Sequence, residues 1–173
     1  MITFRPLAGA VGADNLAPLA YLLQVDDVRV LLDCGSPDWS PEFSVLPDAY
    51  CAALQEYVSL LPSASRSHFF CPRCAPTIDL VLLSHGDLAH AGLYAYAYAH
   101  WGLKAPAYTT IPVQAMARIV TLEDIEGTRD EQDIPDQDSQ TVSPKNIATV
   151  HQVHEAYDAV NTLRYSQPTH LQG

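Results

Sequence analysis

The residues best placed to do chemistry lie in one short stretch, Ser84-His85-Gly86-Asp87-Leu88-Ala89-His90. Two imidazoles and a carboxylate sit within six positions, directly after the apolar run Ile78 to Leu83. A buried strand that stops at a polar loop is a frequent seat of binding and catalysis in α/β folds. His and Asp side chains crowded there can ligate a metal ion and activate a water molecule. They can also do something plainer, as loop residues that cap the start of the helix that follows. Asp33, in Leu31-Leu32-Asp33-Cys34-Gly35, stands at the end of another apolar run and is a candidate partner for this loop.

The elements that would position these residues can be read from hydrophobic spacing. Ile2 to Leu7, Ala20 to Val25 and Val28 to Asp33 are expected strands, with Asp26-Asp27 as a hairpin turn. Leu31 adds an apolar residue to the alternation of Val28, Val30 and Leu32, so both faces of that strand are expected to be covered. Leu46, Tyr50, Leu54, Tyr57 and Leu61 carry helical spacing. Ile78 to Leu83 and Ala105 to Thr110 read as buried strands, and Gly92 to Trp101 as a helix. A further helix has Pro112 in its first turn and ends near Ile125. Residues Glu126 to Ser143 are rich in Asp, Glu, Gln and Ser and read as a mobile acidic loop. A last helix is expected from Ile147 to Leu163. Strands first, then helices alternating with strands, indicate an α/β layered fold.

Composition limits the partners. The chain has 173 residues, with nine Lys and Arg against 20 Asp and Glu, for a formal charge of -11. Non-specific nucleic-acid affinity comes mainly from cations that neutralise phosphates. This segment would therefore need other surfaces to hold RNA. No apolar run approaches the roughly 20 residues that a membrane-spanning helix requires. Leu7 to Ala13 is too short, and too closely preceded by Arg5 and Pro6, to be read as a signal core. The four cysteines, Cys34, Cys51, Cys71 and Cys74, lack a secreted-type spacing and are expected to be reduced.

Taken together, Leu31 to Gly35 and Asp79 to Gly92 resemble the metallo-β-lactamase superfamily. In that family a strand ending in an Asp-bearing turn precedes a strand ending in Ser-His, and the loop reads His-x-His-x-Asp-His. The resemblance implies that the first two His hold one zinc, that the Asp and last His hold a second, and that a water between them is the nucleophile. Here the first His is His85 and the last is His90, but Asp87 stands at the second His position and Ala89 at the Asp position. A methyl group cannot bind a metal, and the Asp87 carboxylate has a shorter reach than imidazole. Asp33 matches the family Asp that holds the loop from behind. The implied fold is the N-terminal half of a metallo-β-lactamase αββα sandwich, incomplete, with an apolar sheet face left uncovered. Asp33, His85, Asp87, Ala89 and His90 are read as remnants of a degenerate motif, with no catalytic, cofactor-binding or metal-binding residue expected.

One branch of the superfamily shows this kind of decay, and the chain resembles it: the hundred-kilodalton, non-catalytic subunits of cleavage and polyadenylation specificity factors. Tyr21 to Asp26, Leu31 to Gly35, Leu82 to His85, the spacing of Asp87 and His90, Ala107 to Val113 and Leu163 to Gln167 carry that resemblance. It implies a nuclear scaffold without a cofactor, assembled with a catalytic metallo-β-lactamase homologue, other cleavage and polyadenylation factors and pre-mRNA. The rival reading is a metal-dependent, RNA nuclease-like hydrolase with atypical ligands.

The chain reads as one partial domain, residues 1–173, with a non-family insertion at 57–73 and the acidic loop at 126–143. The insertion region carries Cys71-Pro72-Arg73-Cys74 and His68. One reading is half a zinc knuckle, completed only if Cys34, Cys51 or His68 converges on the pair. A second is an unstructured surface insertion. A third is translated intron: codon degeneracy lets Glu56-Tyr57-Val58 encode a donor-like site, Ser67-His68 a branch-like site and Phe69 to Arg73 a pyrimidine tract, and removal would join Glu56 to Cys74 in frame. His151, His154 and Glu155 could form a metal pair on a helix, but a plain helix surface is the better reading. Tyr94, Tyr96 and Tyr98 could stack on bases, but helix packing is favoured. No Ser has a visible base partner, so no nucleophile is assigned.

Overall fold

The computed structural model describes residues 1–6, 19–35, 75–132, 148–166 and 168–169. The expected helix from Leu46 to Leu61, the insertion at 57–73, and His68, Cys51, Cys71 and Cys74 lie outside them. Among the described residues the chain forms one mixed sheet in the strand order β1-β2-β3-β4-β5-β6. β1 (Ile2–Pro6), β2 (Tyr21–Val25) and β3 (Val28–Leu32) are antiparallel neighbours. Asp26 turns the β2–β3 hairpin at φ 52°, a conformation that Asp tolerates better than most residues. β4 (Leu80–Leu82), β5 (Ala107–Thr110) and β6 (Asn161–Leu163) then add in parallel. Parallel neighbours need crossovers, and helices supply those from β4 to β5 and from β5 to β6. α1 (Leu88–Ala91), α2 (Tyr94–His100) and α3 (Ile111–Gln132) precede α4 (Val150–Asp158), which leads into β6.

Cross-strand register decides which residues share a face. Leu22, Leu31, Val81 and Ala107 align across β2 to β5. They join one apolar cluster with Tyr94, Ala95 and Ala97 of α2, Ala117 and Ile125 of α3, and Val153, Ala156 and Tyr157 of α4. The core therefore lies between one sheet face and the helices. Tyr94 and Tyr96 are buried and Tyr98 is half-buried, which fits packing rather than base stacking. His151, His154 and Glu155 are exposed on α4, as expected for a helix surface. The opposite sheet face carries Phe4, Leu23, Val30, Leu80, Leu82 and Tyr108. Val30 and Leu31 are both buried, so β3 is covered on both sides, yet Phe4 is 58% and Leu82 37% exposed. An apolar face left partly open agrees with the expected half sandwich.

Three boundaries differ from the sequence reading. The expected helix from Gly92 to Trp101 is shorter and preceded by α1, with Asp87 accepting the His90 N–H at the start of α1. α3 runs on to Gln132, so residues Glu126 to Gln132 of the expected acidic loop are helical, and its remainder, 133–143, lies outside the described residues. Glu, Arg and Gln are good helix formers, and extending an established helix avoids a second nucleation. Finally, the expected helix from Ile147 to Leu163 is really α4 followed by β6. Thr149 starts α4 with a full capping box to Gln152, and the chain leaves the helix at Ala159.

The core also sets an alkaline limit. Burial, and secondarily the Asp33 charge, pushes the Cys34 thiol well above its ordinary 9.0. Burial likewise pushes the Tyr94 and Tyr157 hydroxyls above their ordinary 10.0, with the hydrogen bond from Thr121 opposing the shift at Tyr157. Each folded-state value lies above the unfolded one, so the unfolded chain releases these protons first. Their contribution to stability is complete below the unfolded values and is lost as pH rises through the folded ones. The melting temperature should thus fall from about pH 9 upward, and Tyr94→Phe should flatten that fall. A flat melting profile to about pH 11 in the parent protein would contradict the assignment.

Candidate functional site

The site forms where β3 and β4 end side by side. Parallel pairing of Leu32 with Leu82 brings Asp33 next to the loop that follows β4. The Asp33 N–H bonds the Leu82 carbonyl at 2.9 Å. Asp33 has φ 60° and is 8% exposed. Its Oδ1 accepts the Ser84 backbone N–H at 2.7 Å, and its Oδ2 accepts the Ser84 hydroxyl at 2.8 Å. The carboxylate therefore holds the loop, the role inferred for it from sequence, and Ser84 is its direct partner.

Ser84 Oγ also lies 2.8 Å from His85 Nδ1. This corrects the sequence reading, which found no base beside any Ser. The direction of the bonds argues against a nucleophile all the same. With its proton given to Asp33, Ser84 Oγ can only accept from His85. In the uncharged ring the proton then sits on Nδ1, and Nε2 keeps its lone pair. At the other end of the loop, His90 Nδ1 lies 2.6 Å from Asp87 Oδ1, an oxygen that also accepts the His90 N–H at 3.0 Å. The same logic leaves the Nε2 of His90 as a lone pair. The two rings face one another at a 4.5 Å centroid distance and 39° tilt.

The backbone around these side chains is tightly tied. The Cys34 N–H bonds the His90 carbonyl at 2.6 Å, the Leu93 N–H bonds the Cys34 carbonyl at 3.0 Å, and the Leu19 N–H bonds the Ala89 carbonyl at 2.9 Å. Gly35 passes so close that a Cβ there would sit 1.8 Å from the Ala89 oxygen. Gly86 leans on α3, where a Cβ would come within 2.7 Å of Met116 Cβ. Tyr157 of α4 donates its hydroxyl hydrogen to the Ala91 carbonyl at 3.1 Å. Gly35 could be anticipated from its place in Leu31 to Gly35. Nothing in the sequence marks Tyr157 as the anchor of α1.

Structure thus brings Asp33, His85, Asp87, Ala89 and His90 into one locality, as expected. The donors present do not make a two-metal centre. Ala89 offers none, Asp33 is engaged with Ser84, and Asp87 Oδ1 is engaged with His90. Among the described residues no three His, Cys, Asp or Glu side chains are grouped to hold a metal ion. The arrangement is a pair of facing imidazoles on a rigid loop.

This fold and this loop belong to a known class. Residues 22–173 match the family described as the metallo-beta-lactamase superfamily domain, and the chain belongs to that superfamily. More narrowly, it is similar to cleavage and polyadenylation specificity factor subunit 2 of Oryza sativa subsp. japonica, at 36% identity over 96% of this chain and 18% of that protein. The Arabidopsis thaliana subunit 2 is 34% identical over 99% of this chain and 18% of its own length. Cleavage factor two protein 2 of Schizosaccharomyces pombe is 38% identical over 55% of this chain and 10% of its own length. The chain thus spans less than a fifth of the length of these relatives. The crystal structure of the human tRNase Z short form overlays 75% of this chain and 41% of its own at 16% identity, with a TM-score of 0.35.

Proposed function

We propose that this chain forms part of a non-catalytic scaffold subunit of the nuclear complex that cleaves and polyadenylates pre-mRNA 3′ ends. The observation that carries the reading is Ala89, a methyl group at a ligand position in a loop whose supporting bonds are intact. Similarity to proteins named as cleavage and polyadenylation specificity factor subunit 2 supports the choice of complex. In this reading the subunit binds no metal pair and needs no cofactor. It pairs with a catalytic metallo-β-lactamase homologue and other processing factors, and meets pre-mRNA only within the assembly. The formal charge of -11 fits a component that does not grip RNA unaided. The segment 57–73 is proposed as an insertion outside the family framework.

The rival is a hydrolase with atypical ligands, and it is favoured by the two Nε2 positions, neither of which has a hydrogen-bond partner among the described residues. Elemental analysis of the full-length protein separates the readings. The scaffold should carry far less than one zinc per chain after dialysis, and should not cut RNA in zinc, manganese or magnesium. A tightly bound zinc pair, or metal-dependent RNA cleavage abolished by His85→Ala, would overturn the proposal.

A further inference from the structure

α1, which carries His90, is a single turn and too short to hold itself. Its internal backbone bonds reach back only to the carbonyls of Asp87 and Leu88. The carbonyls of Ala89, His90 and Ala91 are left over at its end, where a helix has no partner of its own to offer. Each is taken from a different direction. The Leu19 N–H bonds Ala89, the Cys34 N–H bonds His90, and the Tyr157 hydroxyl bonds Ala91. The first two partners are backbone groups. The third is one side chain, reaching in from α4.

That side chain is itself held. Tyr157 is fully buried, with its ring 5.5 Å from that of Tyr94. Gln114 of α3 donates to the Tyr157 backbone carbonyl at 2.7 Å. The single hydroxyl proton of Tyr157 goes to Ala91, so the 3.2 Å contact with the buried Thr121 hydroxyl runs from Thr121 to Tyr157. A relay thus passes from α3 through α4 to the end of α1. A buried polar group stripped of its partner is costly, so the three groups hold one another. We infer that Tyr157 is a positioning residue for His90, tethering α1 from the core so that the two facing imidazoles keep their places with no metal ion between them. It acts through the neighbouring Ala91 carbonyl, and it rests on the reading that the loop holds no metal pair.

Tyr157→Phe in the full-length protein removes the hydroxyl and keeps the ring. Amide hydrogen exchange, read by mass spectrometry, should then quicken at least about tenfold at Ala91 and Gly92 relative to Val81. The Val81 N–H bonds the Pro106 carbonyl and stands outside the relay. Diethyl pyrocarbonate should acylate His90 at least about threefold faster than in the parent, with the exposed His151 unchanged. Thr121→Val should move both readouts less, and Thr121→Ser, which keeps the hydroxyl, should match the parent. Equal quickening at Val81 would mark a general loss of stability and overturn the positioning role. EDTA added to the parent should leave exchange in the loop unchanged. Faster exchange with EDTA would overturn the metal-free reading and the tether with it, whereas a Tyr157→Phe loop no faster than the parent's would overturn the tether alone.

Discussion

Gly35→Ala should destabilise the full-length protein by about 3 kcal/mol or more, at the upper end of what overpacking costs. The reason is backbone against backbone. An added methyl would lie 1.8 Å from the Ala89 oxygen, 2.6 Å from the Ala89 carbon and 2.8 Å from the Leu19 nitrogen. None of these is the far end of a flexible side chain, so the strand end or the loop must move. Movement would break the bond from the Leu19 N–H to the Ala89 carbonyl and the bond from the Gly35 N–H to the Leu19 carbonyl. Thermal or denaturant unfolding measures the loss. Gly102→Ala is a useful contrast, since its strain comes from φ 71° and its nearest neighbour would be a proline side-chain carbon at 3.6 Å. It should cost about 1 kcal/mol, the usual penalty for a left-handed non-glycine residue. Equal losses at the two glycines would show that the close approach at Gly35 is not what matters.

Asp33→Ala should have the second largest effect, about 2 to 4 kcal/mol. Two contributions add. Removing the carboxylate leaves the Ser84 N–H and hydroxyl without their acceptor in a part-buried place. It also puts alanine at φ 60°, which Asp and Asn adopt more readily. Asp33→Asn separates them. It keeps the backbone tolerance and one acceptor oxygen, so it should recover at least half of the loss. Chemical denaturation of the parent and the two variants reads both contributions. If the asparagine variant were no better than the alanine variant, acceptor count rather than backbone would dominate. An alanine variant as stable as the parent would remove Asp33 from the support of the loop.

Sequence made the centre of the sheet legible because its strands are apolar and end in recognisable loops. Val28 to Leu32 and Leu80 to Leu82 announce themselves by apolar character alone, and Asp33 and His85 follow closely after them. Edge and surface elements were harder. Asn161-Thr162-Leu163 is three residues long, only partly apolar and preceded by helical spacing, so the helix pattern ran on through it. The C-terminal turns of α3 looked like a loop because they are acidic, yet Glu, Arg and Gln are good helix formers. The role of Ser84 was hidden for a different reason. Its carboxylate partner is 51 positions away, and only the pairing of β3 with β4 brings the two together.

Among the described strands, the order across the sheet is also the order along the chain. Each new strand therefore has its docking edge already laid down when it emerges from a ribosome, and none must wait for a later segment to be inserted between earlier ones. β1 to β3 can close as a meander, and each crossover then adds one strand to the free edge. Growth in one direction keeps loop-closure entropy low at every step and shortens the time for which strand edges stand open to other chains. A sheet built this way is suited to folding as it is synthesised, within the much longer polypeptides to which its relatives belong.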